Sequence, residues 1–106
     1  MQAVLAITDL PATALEAAGR FHAQWLPEIR TVLEDDDTTS LVIVLPAAPY
    51  DHADWRRSAV RDLARAYAPK RVSMVAGSKQ AAIESMIRYL DDAHGVTGQY
   101  HRLHGD

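Results

Sequence analysis

Apolar residues along this chain follow two rhythms in alternation, short continuous runs and helical repeats. Ala3–Thr8 (AVLAIT) is a short apolar run closed by Asp9, Leu10 and Pro11, and it predicts a strand. From Thr13 the spacing shifts to threes and fours, through Leu15, Ala18, Phe21, Trp25, Leu26, Ile29, Val32 and Leu33. Thr13 with Glu16 three residues on has the form of a capping box, so a helix is predicted over Thr13–Glu34. Pro27 inside it removes the hydrogen bond to the Ala23 carbonyl and predicts a kink within one helix. These apolar positions cover more than one narrow stripe, which predicts a helix buried on two sides.

The polar stretch EDDDTT, residues 34–39, leads into Leu41–Leu45 (LVIVL), a continuous β-branched run. Such a run reads as a strand buried on both faces, as in a parallel sheet. Pro46, Pro49 and Tyr50 form an irregular link, after which Asp51 or Asp54 caps a second helix ending near Tyr67. Its apolar face is Trp55, Ala59, Val60, Leu63, Ala64 and Tyr67, and Pro69 and Lys70 stop it. Val72–Ala76 (VSMVA) is a third strand, Gly77 turns the chain, and Ser78 caps a third helix. That helix carries Ile83, Met86, Ile87 and Leu90 on one face and ends at Gly95. Tyr100–Leu103 forms a last short strand, with His104, Gly105 and Asp106 fraying. The order β-α-β-α-β-α-β with short connections predicts one α/β domain over residues 1–106, about four mostly parallel strands in sequential order with three main helices.

Composition narrows the picture without naming an activity. The chain has 106 residues, 48% apolar and 24% charged, which suits one small globular domain. Its net charge of −3 gives no reason to expect nucleic acid or an anionic membrane as partner. It has no cysteine, which excludes disulfides, thiolate metal sites and cysteine nucleophiles and fits a cytoplasmic setting. The opening MQAVLAITDLP lacks a basic region and a long apolar run, so it does not read as a signal peptide. No stretch approaches the roughly 20 apolar residues of a membrane span.

Candidate chemistry is sparse. Gly77, Ser78 and Lys79 lie at a strand-to-helix turn, where backbone amides and a lysine can hold a phosphate. With Tyr50 they are the weak ligand-binding candidates; an ordinary glycine turn followed by a serine cap explains the same residues. Of the five histidines, His101 and His104 fall on opposite faces of a strand, and His52 beside Asp51 and Asp54 is the remaining cluster. No ligand spacing emerges, and no metal is expected. Arg56, Arg57, Arg61, Arg65, Lys70 and Arg71 against Asp54 and Asp62 give residues 53–71 a charge of +4. Residues 12–37 carry Glu16, Glu28, Glu34, Asp35, Asp36 and Asp37 against Arg20 and Arg30, a charge of −4. Two solvated helix faces account for this; charge complementarity within or across subunits is the sharper reading.

Four segments carry a family resemblance: FHAQWLPEIR, VRDLARAYAPKRVSMVAG, AAIESMIRYLDDAHGVTGQ and HRLHGD. In this order and spacing they resemble the C-terminal half of a short-chain dehydrogenase/reductase. The resemblance implies a short Rossmann-like three-layer fold beginning at the family's fourth strand, with the third helix on the sheet face opposite the first two. It also implies where chemistry would be. The family's Gly-rich cofactor turn has no counterpart here. Its catalytic Tyr and Lys, four residues apart, fall on Pro49 and Ala53, or with a shift of one on Tyr50 and Asp54, and its Ser falls on Pro46 or the nearby alanines. No catalytic residue and no cofactor are therefore assigned. The first two helices correspond to the family's dimer-forming pair, which makes Phe21, Trp25, Leu26, Ile29, Trp55 and Ala59 the expected oligomer contacts. The function expected is a non-catalytic, homodimeric interaction or scaffold domain. A small-ligand or nucleotide-binding module using the strand C-terminal ends is the alternative, and partnership with a full-length reductase a second one.

Overall fold

The computed structural model describes residues 1–103, so the fraying expected of His104, Gly105 and Asp106 lies outside the described residues. Four strands, β1 (Gln2–Ala6), β2 (Ser40–Leu45), β3 (Arg71–Ala76) and β4 (Tyr100–Arg102), form one parallel sheet in the order β1-β2-β3-β4. This is the predicted α/β architecture. Leu41, Ile43 and Leu45 point to one face and Val42 and Val44 to the other, which is why LVIVL has no polar position.

The predicted first helix is a continuous helical run with a defect. It comprises α1 (Ala14–Arg20), a π-helical turn (Phe21–Trp25) and α2 (Leu26–Leu33). Pro27 falls in the first turn of α2, and the Leu26 N–H bonds back to the Phe21 carbonyl. The wide turn takes up the missing proline donor, so the expected kink is resolved as a π-turn. Thr13 caps α1 as expected: its hydroxyl accepts from the Glu16 N–H and donates at 2.8 Å to the Glu16 carboxylate.

α1, α2 and α3 (Ala53–Ala66) pack on one face of the sheet, and α4 (Gln80–Asp92) on the other. Phe21, Ile29, Leu33, Val60 and Leu63 meet Leu41, Ile43, Val72 and Met74 in the larger core. Leu90, with Met86 and Ile87, covers Val42 and Val75 in the smaller one. In a parallel sheet of sequential order, a helix on the opposite face means a crossover of opposite hand. The β3-α4-β4 unit thus departs from the hand shared by the first two, although one hand prevails in about 98% of such units. The driving force is the apolar second face: with α4 beside its neighbours, Val42 and Val75 would be wet.

Three expected caps are corrected. α3 is entered through a 3-10 turn, Tyr50–His52, with His52 at the N-cap position and no side-chain cap, so neither Asp51 nor Asp54 caps it. α4 is capped at Lys79 without a side-chain bond, so Ser78 is not its cap. It ends at Asp92 with Ala93 as C-cap, three residues before Gly95. Among the described residues the glycine with a left-handed backbone is Gly98, at φ 71°, whose N–H donates to the Val72 carbonyl at 2.7 Å.

Candidate functional site

Register sets the first candidate site. Leu45 sits beside Ala76, so Pro46 and Gly77 leave the sheet together at its carboxyl edge. Parallel α/β sheets receive ligands at this edge. Gly77 is buried there, and Ser78 and Lys79 are exposed ahead of α4. Tyr50 opens the 3-10 turn beyond Pro46 and is 70% exposed. Gly77, Ser78 and Lys79 are thus contiguous at one edge, with Tyr50 on the neighbouring loop.

Beneath this edge lies a residue that the charge pattern concealed. Along α3 the buried positions include Arg56, Ala59, Val60 and Leu63. Arg56 is 1% exposed. Its Nη1 donates to the Pro46 carbonyl at 2.9 Å and to the Tyr100 hydroxyl at 3.2 Å. Its guanidinium carbon lies 5.5 Å from the centre of the Trp55 ring and 5.8 Å from that of Tyr100. Nε is buried without a hydrogen-bond partner, and no carboxylate pairs with Arg56 among the described residues. A guanidinium removed from water ordinarily draws on an anion. By charge alone Arg56 belongs with the solvated basic residues of α3. Its spacing of three, four and seven residues to Ala59, Val60 and Leu63 is the signal that it faces inward.

The histidines are placed individually. His52 is buried, with Nε2 on the Ala12 carbonyl at 3.0 Å and Nδ1 accepting from the Trp55 indole at 3.3 Å. Both ring nitrogens are satisfied by protein, and among the described residues no group of three potential ligands surrounds a metal position. His101, on β4 beside Val75, has a buried Nε2 with no partner, and desolvation holds its pKa below the ordinary imidazole value.

The helical layer divides the six expected contact residues. Phe21, Ile29 and Ala59 are 1%, 0% and 4% exposed and fill the chain's own core, so they are not available to a partner. Trp25, Leu26 and Trp55 are half-buried at its margin. The expectation failed for the first three because the sheet face itself absorbs most of the apolar excess of α1 and α2. Between α2 and α3 runs a groove of about 500 Å³, with Phe21, Leu26, Ala59 and Leu63 lining it and His22, Arg30 and Asp62 at its exposed margin. At one end Arg30 Nε donates to the Tyr67 hydroxyl at 3.2 Å, which donates to Glu34 at 3.1 Å. The Tyr67 bond, then the Glu34 charge, raises the Arg30 pKa. On the outer side of α3, Asp54, Arg57, Ser58, Arg61, Asp62 and Arg65 form an exposed polar stripe.

At the positions where the resemblance places catalysis, Pro49 precedes the 3-10 turn, Ala53 is buried at the start of α3, and Tyr50 and Asp54 are exposed. Lys70 and Lys79 are the only lysines in the sequence. Lys70 Nζ binds the Leu33 and Asp35 carbonyls beyond the end of α2, and Lys79 follows β3. Among the described residues no helix is long and apolar enough to cross a membrane. No curated protein and no solved structure matches the chain. A family model described as "Short chain dehydrogenase-like protein" matches residues 5–103, nearly the whole sequence. The chain belongs to this SDR-like family.

Proposed function

We propose that this protein is a non-catalytic member of its family, a cytoplasmic interaction domain that self-associates through the outer stripe of α3. The observation that carries the reading is the self-complementarity of that stripe. When two α3 helices run antiparallel about a two-fold axis at the level of Ala59 and Val60, Asp54 of one copy faces Arg65 of the other. In the same register Arg57 faces Asp62 and Ser58 faces Arg61, and the symmetry repeats each contact. The half-buried Leu26 and Trp55 beside α3 offer apolar surface to the same partner. Charges set the register there, and apolar burial around Leu26 and Trp55 sets the affinity. The absence of turnover rests on Pro49 with Ala53, or Tyr50 with Asp54, at the catalytic positions. Neither alignment places a lysine four residues after a tyrosine. A cysteine-free chain suits a reducing compartment.

Light scattering on wild type, Asp54→Arg, Arg65→Asp and the double variant tests this. The expected result is a two-chain contact in the wild type, weakened at least ~10-fold in each single variant and recovered in the double, the mark of a direct charge pair. A monomeric wild type, or a double variant no better than the singles, refutes the contact. Turnover of a carbonyl substrate with a nicotinamide cofactor refutes the non-catalytic reading.

A second reading has one specific observation behind it. The buried Arg56, lacking a carboxylate partner, lies under the carboxyl edge and favours a small anionic ligand there. A saturable thermal stabilisation by a phosphate or carboxylate compound, lost in Arg56→Met, would establish it; no saturable effect would exclude it.

A further inference from the structure

The two edges of the sheet are built differently. β4 is three residues long and carries His101 and Arg102, the short and charged form by which proteins block strand addition. β1 is five residues long, QAVLA, with no charge and no proline. It pairs with β2 on one side, and among the described residues nothing pairs with the other.

The ladder identifies which groups the open side presents. Ile7 N–H donates to the Val44 carbonyl at 2.8 Å, so Ile7, Leu5 and Ala3 direct their backbone groups toward β2. By the two-residue alternation of a strand, Gln2, Val4 and Ala6 direct theirs outward. The side chains add a second asymmetry. Ala3 and Leu5 pack into the core under α1–α3, which places Val4 on the opposite face. On that face α4 covers β2 and β3, and Val4 remains 49% exposed.

We propose that β1 is a self-pairing edge, joined antiparallel to β1 of a second copy about a two-fold axis through Val4. The segment suits this occupant because it is its own complement. In that register Val4 faces Val4, and Gln2 faces Ala6, and all of these residues turn N–H and C=O toward the partner. Each facing pair exchanges both backbone bonds at a Cα separation of about 5.5 Å. The two Val4 side chains come together on the bare face and shield each other from water. The two four-stranded sheets become one, and neither copy opposes a charge within the seam. This contact does not involve α3 and holds whether or not the helix contact forms.

A cysteine-free chain makes the test direct. Val4→Cys under mild oxidation is expected to yield a disulfide-linked dimer, because its Cα separation across the axis matches that of a disulfide. Ala6→Cys is expected not to, since its facing residue is Gln2; Gln2→Cys combined with Ala6→Cys is expected to cross-link. Val4→Pro removes only an outward N–H and leaves the β1–β2 ladder whole, so it should fold while losing the contact. Light scattering on Val4→Pro in the Arg65→Asp background then reports β1 pairing separately from the α3 contact. Cross-linking confined to the predicted positions, with the lower mass in Val4→Pro, supports the proposal. Equal cross-linking of Val4→Cys and Ala6→Cys, no cross-linking of either, or an unchanged mass in Val4→Pro overturns it.

Discussion

Arg56→Met sets several large terms against one another, and their balance is calculable. Methionine is unbranched and can follow the path of the arginine stem, so the cavity is small. The variant loses two hydrogen bonds from a charged donor, to Pro46 O and Tyr100 Oη, about 1.5–3 kcal/mol each. It also loses two cation–π contacts, whose 5.5 Å and 5.8 Å separations put them near the outer limit, about 1 kcal/mol together. Against this, it relieves the burial of an unpaired cation, several kcal/mol, and an orphaned Nε–H, about 1–3 kcal/mol. The opposing sums nearly cancel, leaving a net loss of about 0–2 kcal/mol. Removing one member of a true buried ion pair costs about 3–5 kcal/mol instead. Urea unfolding of both proteins, with equal slopes, separates the cases. A loss above about 4 kcal/mol, as a broken buried pair would give, refutes the claim that Arg56 is held without an anion.

Two other expectations rest on single residues. Gly98→Ala places a Cβ at φ 71° and 3.4 Å from the Ala64 Cβ, so a loss of about 1–2 kcal/mol is expected, while Gly95→Ala, with open space around it, leaves the melting temperature unchanged or higher. Equal melting temperatures for Gly98→Ala and wild type would contradict the assigned backbone. Burial keeps His101 neutral in the fold below its ordinary pKa of 6.5, so its contribution is complete above that value and is lost as pH falls through it toward the folded pKa. His101→Gln should therefore flatten the wild-type fall in urea midpoint between about pH 7.5 and 5; identical pH slopes would show that His101 is solvated.

The sheet was legible because its strands are nearly pure in hydrophobic pattern. LVIVL admits one reading, and the sequential order follows from short connections. The side chosen by α4 runs against the handedness rule, which alone places it beside α3; the family resemblance pointed to the opposite face, and the unbroken apolar run LVIVL, which leaves no face fit to be wet, agreed with it. Caps were the weakest expectations. Asp54 and Ser78 are good capping residues by type, yet a 3-10 entry and an extended Lys79 put other residues at those helix starts. Arg56 was misplaced because a charge tally has no direction, whereas helical spacing does. Phe21, Ile29 and Ala59 were assigned to a partner because an apolar excess is visible in sequence, but how much of it one sheet face absorbs is a property of the assembled layers.

The two proposed contacts have a joint consequence. The α3 stripe faces outward from the helical layer, and β1 lies at the margin of the sheet, so the two proposed contacts use different surfaces. Each, as proposed, is isologous and would close on itself in a pair. Two different isologous contacts on one chain do not stop at a dimer; they build a closed tetramer where their axes meet at right angles and an open chain of molecules where they do not. The wild type should thus exceed two chains at high concentration, while Val4→Pro and Arg65→Asp should each halt at a dimer and the combined variant at a monomer. A wild type that saturates at two chains would leave room for one of the contacts only, and the single variant that reduces it to a monomer would identify which.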